Sequence, residues 1–193
     1  MKLNVGCGFN QLDGYLNVDA FADCRPDLIW NLERTPWPFP DDSIEEIVAH
    51  HVLEHLGQST EAFFGIVKEI YRVMQHDGTV FVTVPYPTHP TFFTDPTHVR
   101  AYTADTFAML SRAKNLDWSA RGVNMTMLAL MLDVNFDTVE AVHSYDEPWR
   151  SRLARRELTI GQVREAAKMQ LGVIRELKVR LRVDKSHHRD AGA

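Results

Sequence analysis

Two glycines and an aspartate near the N-terminus have the types and the spacing of a nucleoside-recognition site. Gly6 and Gly8 directly follow residues 2–5, a predicted short buried strand, at a point where the strand would turn sharply and let a ligand approach its backbone. A second apolar run then ends in the carboxylate of Asp19. In this order of strand, glycine turn, strand and acid, bare amides face the ligand and the acid accepts hydrogen bonds from two ribose hydroxyls. The pattern predicts a bound nucleoside, with a purely structural turn as the alternative.

A second group of reactive side chains is the motif formed by His51, Glu54 and His55. If this motif were helical, both histidines would share one face and a zinc ion could bridge them, with the glutamate as the base. Such an inverted zinc-protease site needs a longer helix and a further ligand well downstream. Here the motif follows the short apolar run 46–49, which is typical of a buried strand. A zinc hydrolase is therefore kept only as a minor alternative.

The 85–102 segment combines reactive side chains with prolines that prevent it from forming a central strand or a helix. The side chains that could act on a substrate are His89, Asp95, His98, Arg100 and Tyr102. We expect a site here, and the alternative is an ordered connection in which these residues form turns and helix caps. The first three could also bind a metal, but the sequence offers no obvious fourth ligand. We therefore expect no metal.

The order of these motifs resembles one family. The motif-bearing stretches are Leu3–Gly8, Pro38–Ser43, His51–His55, Lys68–Met74 and Asp77–Pro85. Over roughly residues 2 to 86 the chain resembles the class I S-adenosylmethionine-dependent methyltransferases, in a small-molecule and glycan-type branch similar to methyltransferase type 11.

The resemblance implies S-adenosyl-L-methionine as the cofactor. Asp19 would bind the ribose, adenine would lie near Asn31 and Leu32, and His50 would end the fourth strand. The implied cofactor-binding residues are Asn4, Gly6, Cys7, Gly8, Asp19, Asn31, Leu32 and His50. Two positions depart from the family pattern: Asn4 replaces the usual acid, and Asn10 replaces a frequent third glycine, which predicts a wider turn.

The resemblance also implies methyl transfer to a small-molecule or glycan acceptor, and we expect a hydroxyl to be methylated. The sulfonium of the cofactor already activates the methyl group, so the protein mainly aligns the acceptor and excludes water. A neutral imidazole would remove the hydroxyl proton, and His51 and His98 are the candidates. The family's N-terminal helices, which often cover the acceptor, are missing before residue 2. We expect the 85–102 segment to replace them, with acceptor contacts from His89, Asp95, Arg100 and Tyr102.

The amino-acid composition is typical of one globular domain and agrees with a cytoplasmic enzyme. The chain has 193 residues, of which 45% are hydrophobic and 24% charged. No apolar run approaches the length of a membrane span, and the N-terminus lacks the apolar region of a signal peptide. Two cysteines, Cys7 and Cys24, do not make a disulfide framework. We expect both to be free thiols in a reducing compartment.

Charge is divided unevenly along the chain. Residues 150–193 hold 12 Lys/Arg against 5 Asp/Glu, a net of +7, and residues 1–149 hold 9 against 21, a net of −12; the sum is the −5 of the whole chain. The basic end could meet an acidic partner or the acidic body of the same protein, or simply be solvated. We do not expect nucleic acid. An alternative function is a methyltransferase-like module that has lost turnover and serves in an assembly through this basic end.

Strands and helices alternate through the first half of the chain, which predicts an α/β doubly wound and mainly parallel sheet. The predicted strands are 2–5, 15–18, 27–31, 46–49 and 79–84, with a helix over 59–74. The resemblance extends this to a seven-stranded Rossmann-like sheet with an antiparallel C-terminal strand and truncated N-terminal helices. Ligands of such sheets bind at the carboxyl ends of the strands.

The second half is harder to interpret from its pattern. We expect a helix over 103–113 and strands over 118–125 and 136–145. At the end, a heptad over 160–181 would allow a homodimeric coiled coil, but strict alternation over 177–183 favours a helix to about 175 and then an antiparallel strand. We expect one domain over 1–185 and a disordered tail over 186–193.

Overall fold

A computed structural model describes residues 1–189 of the chain. The strands are β1 (Lys2–Val5), β2 (Leu16–Asp19), β3 (Leu28–Ile29), β4 (Ile44–His50), β5 (Met74–Pro85), β6 (Phe136–Tyr145) and β7 (Ile174–Val183). They form one seven-stranded sheet in the order β3-β2-β1-β4-β5-β7-β6. Strands β1 to β5 are parallel, whereas β7 runs antiparallel to both β5 and β6. The predicted doubly wound, mainly parallel sheet with an antiparallel C-terminal strand is confirmed.

The helices of the described residues are α1 (Thr60–Val73), α2 (Pro90–Thr94), α3 (Ala104–Ala108), α4 (Arg112–Ala120), α5 (Leu128–Leu132), α6 (Trp149–Ala154), α7 (Ile160–Met169) and α8 (Ser186–Arg189). Two short 3-10 turns, Ala22–Cys24 and Leu53–His55, follow β2 and β4. None of the helices in this described part of the chain combines the length and apolar character that a bilayer crossing requires.

Helix α1 forms because its N-terminal cap and the spacing of its apolar residues both favour a helix. The hydroxyl of Ser59 accepts the backbone N–H of Ala62 at 3.1 Å, which satisfies a donor that the first turn leaves free. Apolar residues at helical spacing, Phe63, Ile66, Val67 and Ile70, are buried in the core that also contains the strand residues. Truncating Ile66 to alanine would cost about 2–5 kcal/mol of stability, because the close-packed core cannot fully collapse around it.

The C-terminal half departs from three sequence predictions. The helix expected over 103–113 is divided into α3, which ends at Ala108, and α4, which begins at Arg112. The strand expected over 118–125 is wrong, because α4 runs to Ala120 and irregular chain follows it. The heptad over 160–181 does not form one helix: α7 ends at Met169, earlier than the expected 175, and β7 begins at Ile174. In β7 the period-two pattern prevails, because alternate side chains are buried against the sheet. A homodimer stays a prediction.

The C-terminal residues can be compared with the predicted limits of the domain and the tail. Where the sequence predicts a disordered tail, Ser186–Arg189 form one helical turn, α8. The last four positions, 190–193, lie outside the described residues. The single domain over 1–185 stays a prediction, with which the one continuous sheet agrees.

Candidate functional site

One pocket lies where the parallel strands β1, β2 and β4 end. Because the carboxyl ends of parallel strands meet at the same edge of a sheet, residues far apart in sequence converge there. The strand-end pocket has a volume of about 220 Å³ and is lined by Gly6, Asp19, Ala20, Trp30, Asn31, Leu32, His51, Val52, His55 and Leu56. Five of these, Gly6, Asp19, Asn31, Leu32 and His51, are predicted site residues.

The turn after β1 requires glycine because of its backbone conformation and, at Gly6, because of a neighbouring side chain. Gly6 and Gly8 have φ values of 59° and 50°, in the left-handed region that favours glycine. A Cβ atom on Gly6 would lie 2.2 Å from Cγ2 of Val52, so a side chain does not fit. A Cβ atom on Gly8 would meet nothing within 4 Å. The backbone at Gly8 is therefore open to an approaching ligand.

Asp19 is held at the pocket by backbone donors. Its Oδ2 accepts the N–H of Gly8 at 2.8 Å, and its Oδ1 accepts the N–H of Phe21 at 2.9 Å. A carboxylate has about four acceptor positions, so these two bonds leave capacity for two hydroxyl donors. The geometry fits the predicted contact with a ribose.

Asn4 stabilises the turn and does not line the strand-end pocket. The residue is buried, and its Nδ2 donates to the carbonyl of Asn10 and to Oδ1 of Asn17, both at 2.9 Å. The same Oδ1 also accepts the N–H of Leu12 at 2.8 Å. These bonds hold together the short connection between β1 and β2, which contains no helix. Its predicted role in cofactor binding is therefore indirect.

Cys7 is likewise turned into the protein. Both Cys7 and Cys24 are buried free thiols, and one ligand atom from each lies within 4.8 Å of a carboxylate oxygen of Asp19. Burial, then the proximity of Cys24 and of Asp19, raises the pKa of Cys7 to about 11. The Cys7 thiol is thus protonated at neutral pH. The residue contributes through its backbone, because the N–H of Cys7 donates to the carbonyl of Val18 at 3.1 Å.

The structure separates the adjacent histidines at the end of β4. His50 is exposed and is absent from the lining of the strand-end pocket, which disagrees with its predicted place beside the cofactor. His51 lines the pocket from a left-handed backbone position, with φ of 55°. Side chains along β4 alternate between the two faces of the sheet, and His50 is the last residue of that strand. His51 belongs to the turn into the 3-10 segment, where this alternation is broken.

His51 lies between two carboxylates. Its Nδ1 is 3.1 Å from Oε1 of Glu54, and its Nε2 is 3.1 Å from Oε1 of Glu176 in β7. The hydrogen bond with Glu54 is the main effect that raises the pKa of His51, against the opposing effect of burial. Because carboxylates accept hydrogen bonds, both ring nitrogens of His51 face acceptors, which favours the imidazolium over a neutral ring with a free lone pair. This arrangement does not support His51 as the predicted base.

The 85–102 segment is fastened to the turn that follows β4. The backbone N–H groups of Val99 and Arg100 both donate to the carbonyl of Glu54, at 2.8 and 3.2 Å. This brings the ring of His98 to a centroid distance of 4.7 Å from the ring of His55. The segment therefore lies against His55, one of the residues that line the strand-end pocket.

Three of the four predicted acceptor contacts in this segment point into the protein. His89 is buried, and its ring is held between Asp146, at 2.8 Å, and the first turn of α2. Arg100 donates to the carbonyl of Gly57 at 2.5 Å, and its guanidinium lies 4.1 Å from the ring centroid of Phe63.

Tyr102 is also buried, stacked on Phe107, and its hydroxyl donates to the carbonyl of Leu53 at 3.2 Å. These contacts support structural roles for His89, Arg100 and Tyr102. Asp95, the fourth predicted contact, is partly exposed and accepts both the N–H and the hydroxyl of Thr97, at 2.8 and 2.6 Å.

Glu54 and Glu176 are site residues that the sequence did not single out as charged partners. Glu54 was visible only as the middle of a motif, with no sign that it would be fully buried. Glu176 reaches His51 because β7 pairs with β5 in the register Pro85 to Glu176. To predict this contact from the sequence, the register between β5 and β7 would have to be known, and these strands are far apart in the chain.

Comparison with known proteins agrees with this geometry. Residues 3–82 match the family model described as a methyltransferase domain. The fold is similar to that of an S-adenosylmethionine-dependent methyltransferase from Archaeoglobus fulgidus, with 18% identity, a TM-score of 0.55 and coverage of 94% of this chain and 85% of that one. No curated protein compared with the sequence matches it.

Two further structures are similar over most of their length. The YcgJ protein from Bacillus subtilis has 14% identity and a TM-score of 0.56, with coverage of 95% of this chain and 91% of that one. The [4+2]-cyclase SpnF has 16% identity and a TM-score of 0.53, with coverage of 95% and 75%. At such identities the likeness concerns the fold. Residues 3–82 thus match a methyltransferase domain, and the chain has the fold of these structures, one of which is named an S-adenosylmethionine-dependent methyltransferase.

Proposed function

We propose that the chain transfers a methyl group from S-adenosylmethionine to a hydroxyl of a small-molecule or glycan acceptor. The observation that carries this proposal is the convergence of Gly6, Asp19 and Asn31 on the strand-end pocket. The pocket fits the cofactor because Asp19, which lines it, has free acceptor positions for ribose hydroxyls, and because the adjoining turn at Gly8 is open to a ligand. Leu32 and Trp30 provide an apolar surface for a base.

S-adenosylmethionine, when bound, supplies a methyl group that its sulfonium has already activated. The chain's own part is to bind, to orient and to exclude water. Asp19 would fix the ribose, and the 85–102 segment would cover the acceptor. Val99 and Arg100 keep that segment in place through their bonds to the Glu54 carbonyl.

Of the two imidazoles proposed to act on the acceptor hydroxyl, the contacts favour His98. Its Nδ1 donates to the carbonyl of Phe92 at 2.7 Å, which fixes the tautomer because a carbonyl can only accept. The Nε2 atom of the neutral ring therefore keeps a lone pair with which to activate a hydroxyl. Both ring nitrogens of His51 instead face carboxylates, those of Glu54 and Glu176.

The fold alone does not settle turnover, since it also occurs in a protein named as a cyclase. The test supplies methyl-labelled S-adenosylmethionine and fractionated small molecules and glycans to the purified chain. We expect label in a product that survives alkali, because a methyl ether is stable to alkali whereas a methyl ester is released. Cofactor binding with no labelled product in any fraction would favour the alternative of a silent binding module.

Histidine substitutions then test whether His98 activates the acceptor hydroxyl. His98→Ala should lower turnover about 100-fold, the usual size of a general acid–base effect, with cofactor affinity unchanged within a few-fold. The matched control is His143→Ala, a half-buried histidine of β6 outside the strand-end pocket. We further propose a cytoplasmic location, supported by the free thiols of Cys7 and Cys24.

A further inference from the structure

The structure assigns a binding site for a divalent first-row transition metal, such as Zn²⁺, to Glu54, His55 and His98. One ligand atom from each side chain lies within 4.8 Å of the other two. Two imidazoles and one carboxylate form the three-residue ligand set that leaves zinc a position for water or substrate. The site combines one residue from the 85–102 segment with two from the motif after β4, which the sequence offered only as separate candidates.

The carboxylate of Glu54 provides the first independent observation. Glu54 has no exposed surface, and its Oε1 is bonded to His51. Its Oε2 is buried and has no hydrogen-bond partner among the described residues. A buried carboxylate oxygen that lacks a partner is costly, and a cation beside it removes that cost.

The two imidazoles are oriented as metal-binding histidines are. His98 donates from Nδ1 to the carbonyl of Phe92, which leaves Nε2 as its ligand atom. Nδ1 of His55 lies 2.8 Å from Oγ1 of Thr97, whose own proton goes to Asp95 at 2.6 Å. Thr97 must therefore accept from His55, and Nε2 of His55 also keeps its lone pair. Such outer partners fix the ring and strengthen it as a ligand.

The other histidines considered as ligands from the sequence are already engaged. His51 is bonded to Glu54 and Glu176, and His89 is bonded to Asp146. Neither is therefore free to join His55 or His98. The motif after β4 is a strand end and a 3-10 turn, so the helical face that a zinc hydrolase needs is not formed.

The position of the site suggests its use, and this part of the inference rests on the proposed function. His55 lines the strand-end pocket, and the ring of His98 lies beside it at a centroid distance of 4.7 Å. A metal there would occupy the Nε2 lone pair of His98, so the metal, and not the free imidazole, would activate the acceptor by binding its oxygen and lowering the pKa of its hydroxyl. The hydroxyl proton would leave to water, and the O–CH₃ bond would form as the S–CH₃ bond breaks. The oxidation state of the metal would not change.

The test measures metal binding alone, without cofactor or acceptor. The purified full chain is stripped with a chelator and titrated with Co²⁺, followed by visible absorption, and with Zn²⁺, followed by calorimetry. We expect one equivalent of each metal and the cobalt ligand-field bands of a site with nitrogen and oxygen ligands. His98→Ala and His55→Ala should each weaken binding at least 10-fold, whereas His143→Ala should not change it.

Circular dichroism and S-adenosylhomocysteine binding show whether each variant is folded. A second variant, His98→Gln, retains the size and polarity of the side chain and should also lose affinity. The absence of metal binding by the wild type, or metal affinity equal to that of the wild type in both His55→Ala and His98→Ala, would overturn the metal site. Either result leaves the proposed methyl transfer standing, because cofactor binding and label transfer are measured separately.

Discussion

The backbone N–H of Val99 donates a 2.8 Å hydrogen bond to the carbonyl oxygen of Glu54. This bond joins the segment that follows β5 to the turn that follows β4. The 85–102 segment is therefore joined directly to the turn that lines the strand-end pocket, although the two are far apart in sequence. The side chains that meet because of it, His55 and His98, could not have been paired from the sequence.

The glycine turn gives a sharp test of packing. Gly6→Ala should lower the free energy of unfolding by about 2–4 kcal/mol, because the new methyl overlaps Val52 and the backbone is left-handed. Gly8→Ala, with the same backbone but open space, should cost only about 1–2 kcal/mol. Urea unfolding measures both. Equal costs for the two variants would mean that the overlap with Val52 is relieved in some other way.

Arg100 is expected to contribute to stability and not to acceptor binding. Arg100→Ala should lower the free energy of unfolding by about 1–2 kcal/mol, since it removes the contact with Phe63 and the bond to the Gly57 carbonyl. Arg121→Ala, which breaks an exposed pair with Asp117, should change it by less than about 1 kcal/mol. If Arg100→Ala keeps full stability but binds the acceptor more weakly, the acceptor role is restored.

The pair of His89 and Asp146 should give a pH-dependent contribution to stability. The hydrogen bond from His89 is the main effect that lowers the pKa of Asp146 in the folded protein. A lowered carboxyl pKa stabilises the fold fully above the unfolded value of about 3.9, and this contribution is lost as the pH falls through the folded value. The stability difference between wild type and Asp146→Asn should therefore shrink below about pH 4. A difference that stays constant down to pH 3 would contradict this account.

Cys7 should be unreactive in the folded protein. Its pKa of about 11 leaves almost no thiolate at pH 7.5, and burial keeps reagents away. A thiol reagent such as dithionitrobenzoate should modify Cys7 only at the rate of unfolding, and both cysteines at once in urea. Rapid labelling of Cys7 in the native chain at pH 7.5 would show that the turn opens more readily than its contacts suggest.

The local parts of the fold followed from the sequence. The glycine turn and Asp19 were predicted because both depend on neighbouring residues, and the turn has the left-handed backbone that glycine allows. The antiparallel β7 was predicted because its alternation reports burial on one face of a sheet. The strand expected over 118–125 failed because a short apolar pattern cannot distinguish a strand from the end of a helix such as α4.

The roles of charged side chains were harder to predict because their partners are set by tertiary contacts. His51 was expected to be a neutral base, yet Glu176 reaches it across the pairing of β5 with β7. Arg100 was expected to face an acceptor, yet it packs on Phe63 of α1. In both cases the residue type could be read from the sequence, but the direction of the side chain depended on elements distant in sequence.

The central claim is that the strand-end pocket binds S-adenosylmethionine through Asp19, and calorimetric titration of the cofactor tests it most directly. Asp19→Ala should weaken binding by about 1.5–3 kcal/mol for each ribose hydrogen bond lost, roughly 10-fold or more. Asp23→Ala, an exposed carboxylate in the neighbouring 3-10 turn, should bind like the wild type. Unchanged affinity in Asp19→Ala, with wild-type folding, would contradict the account.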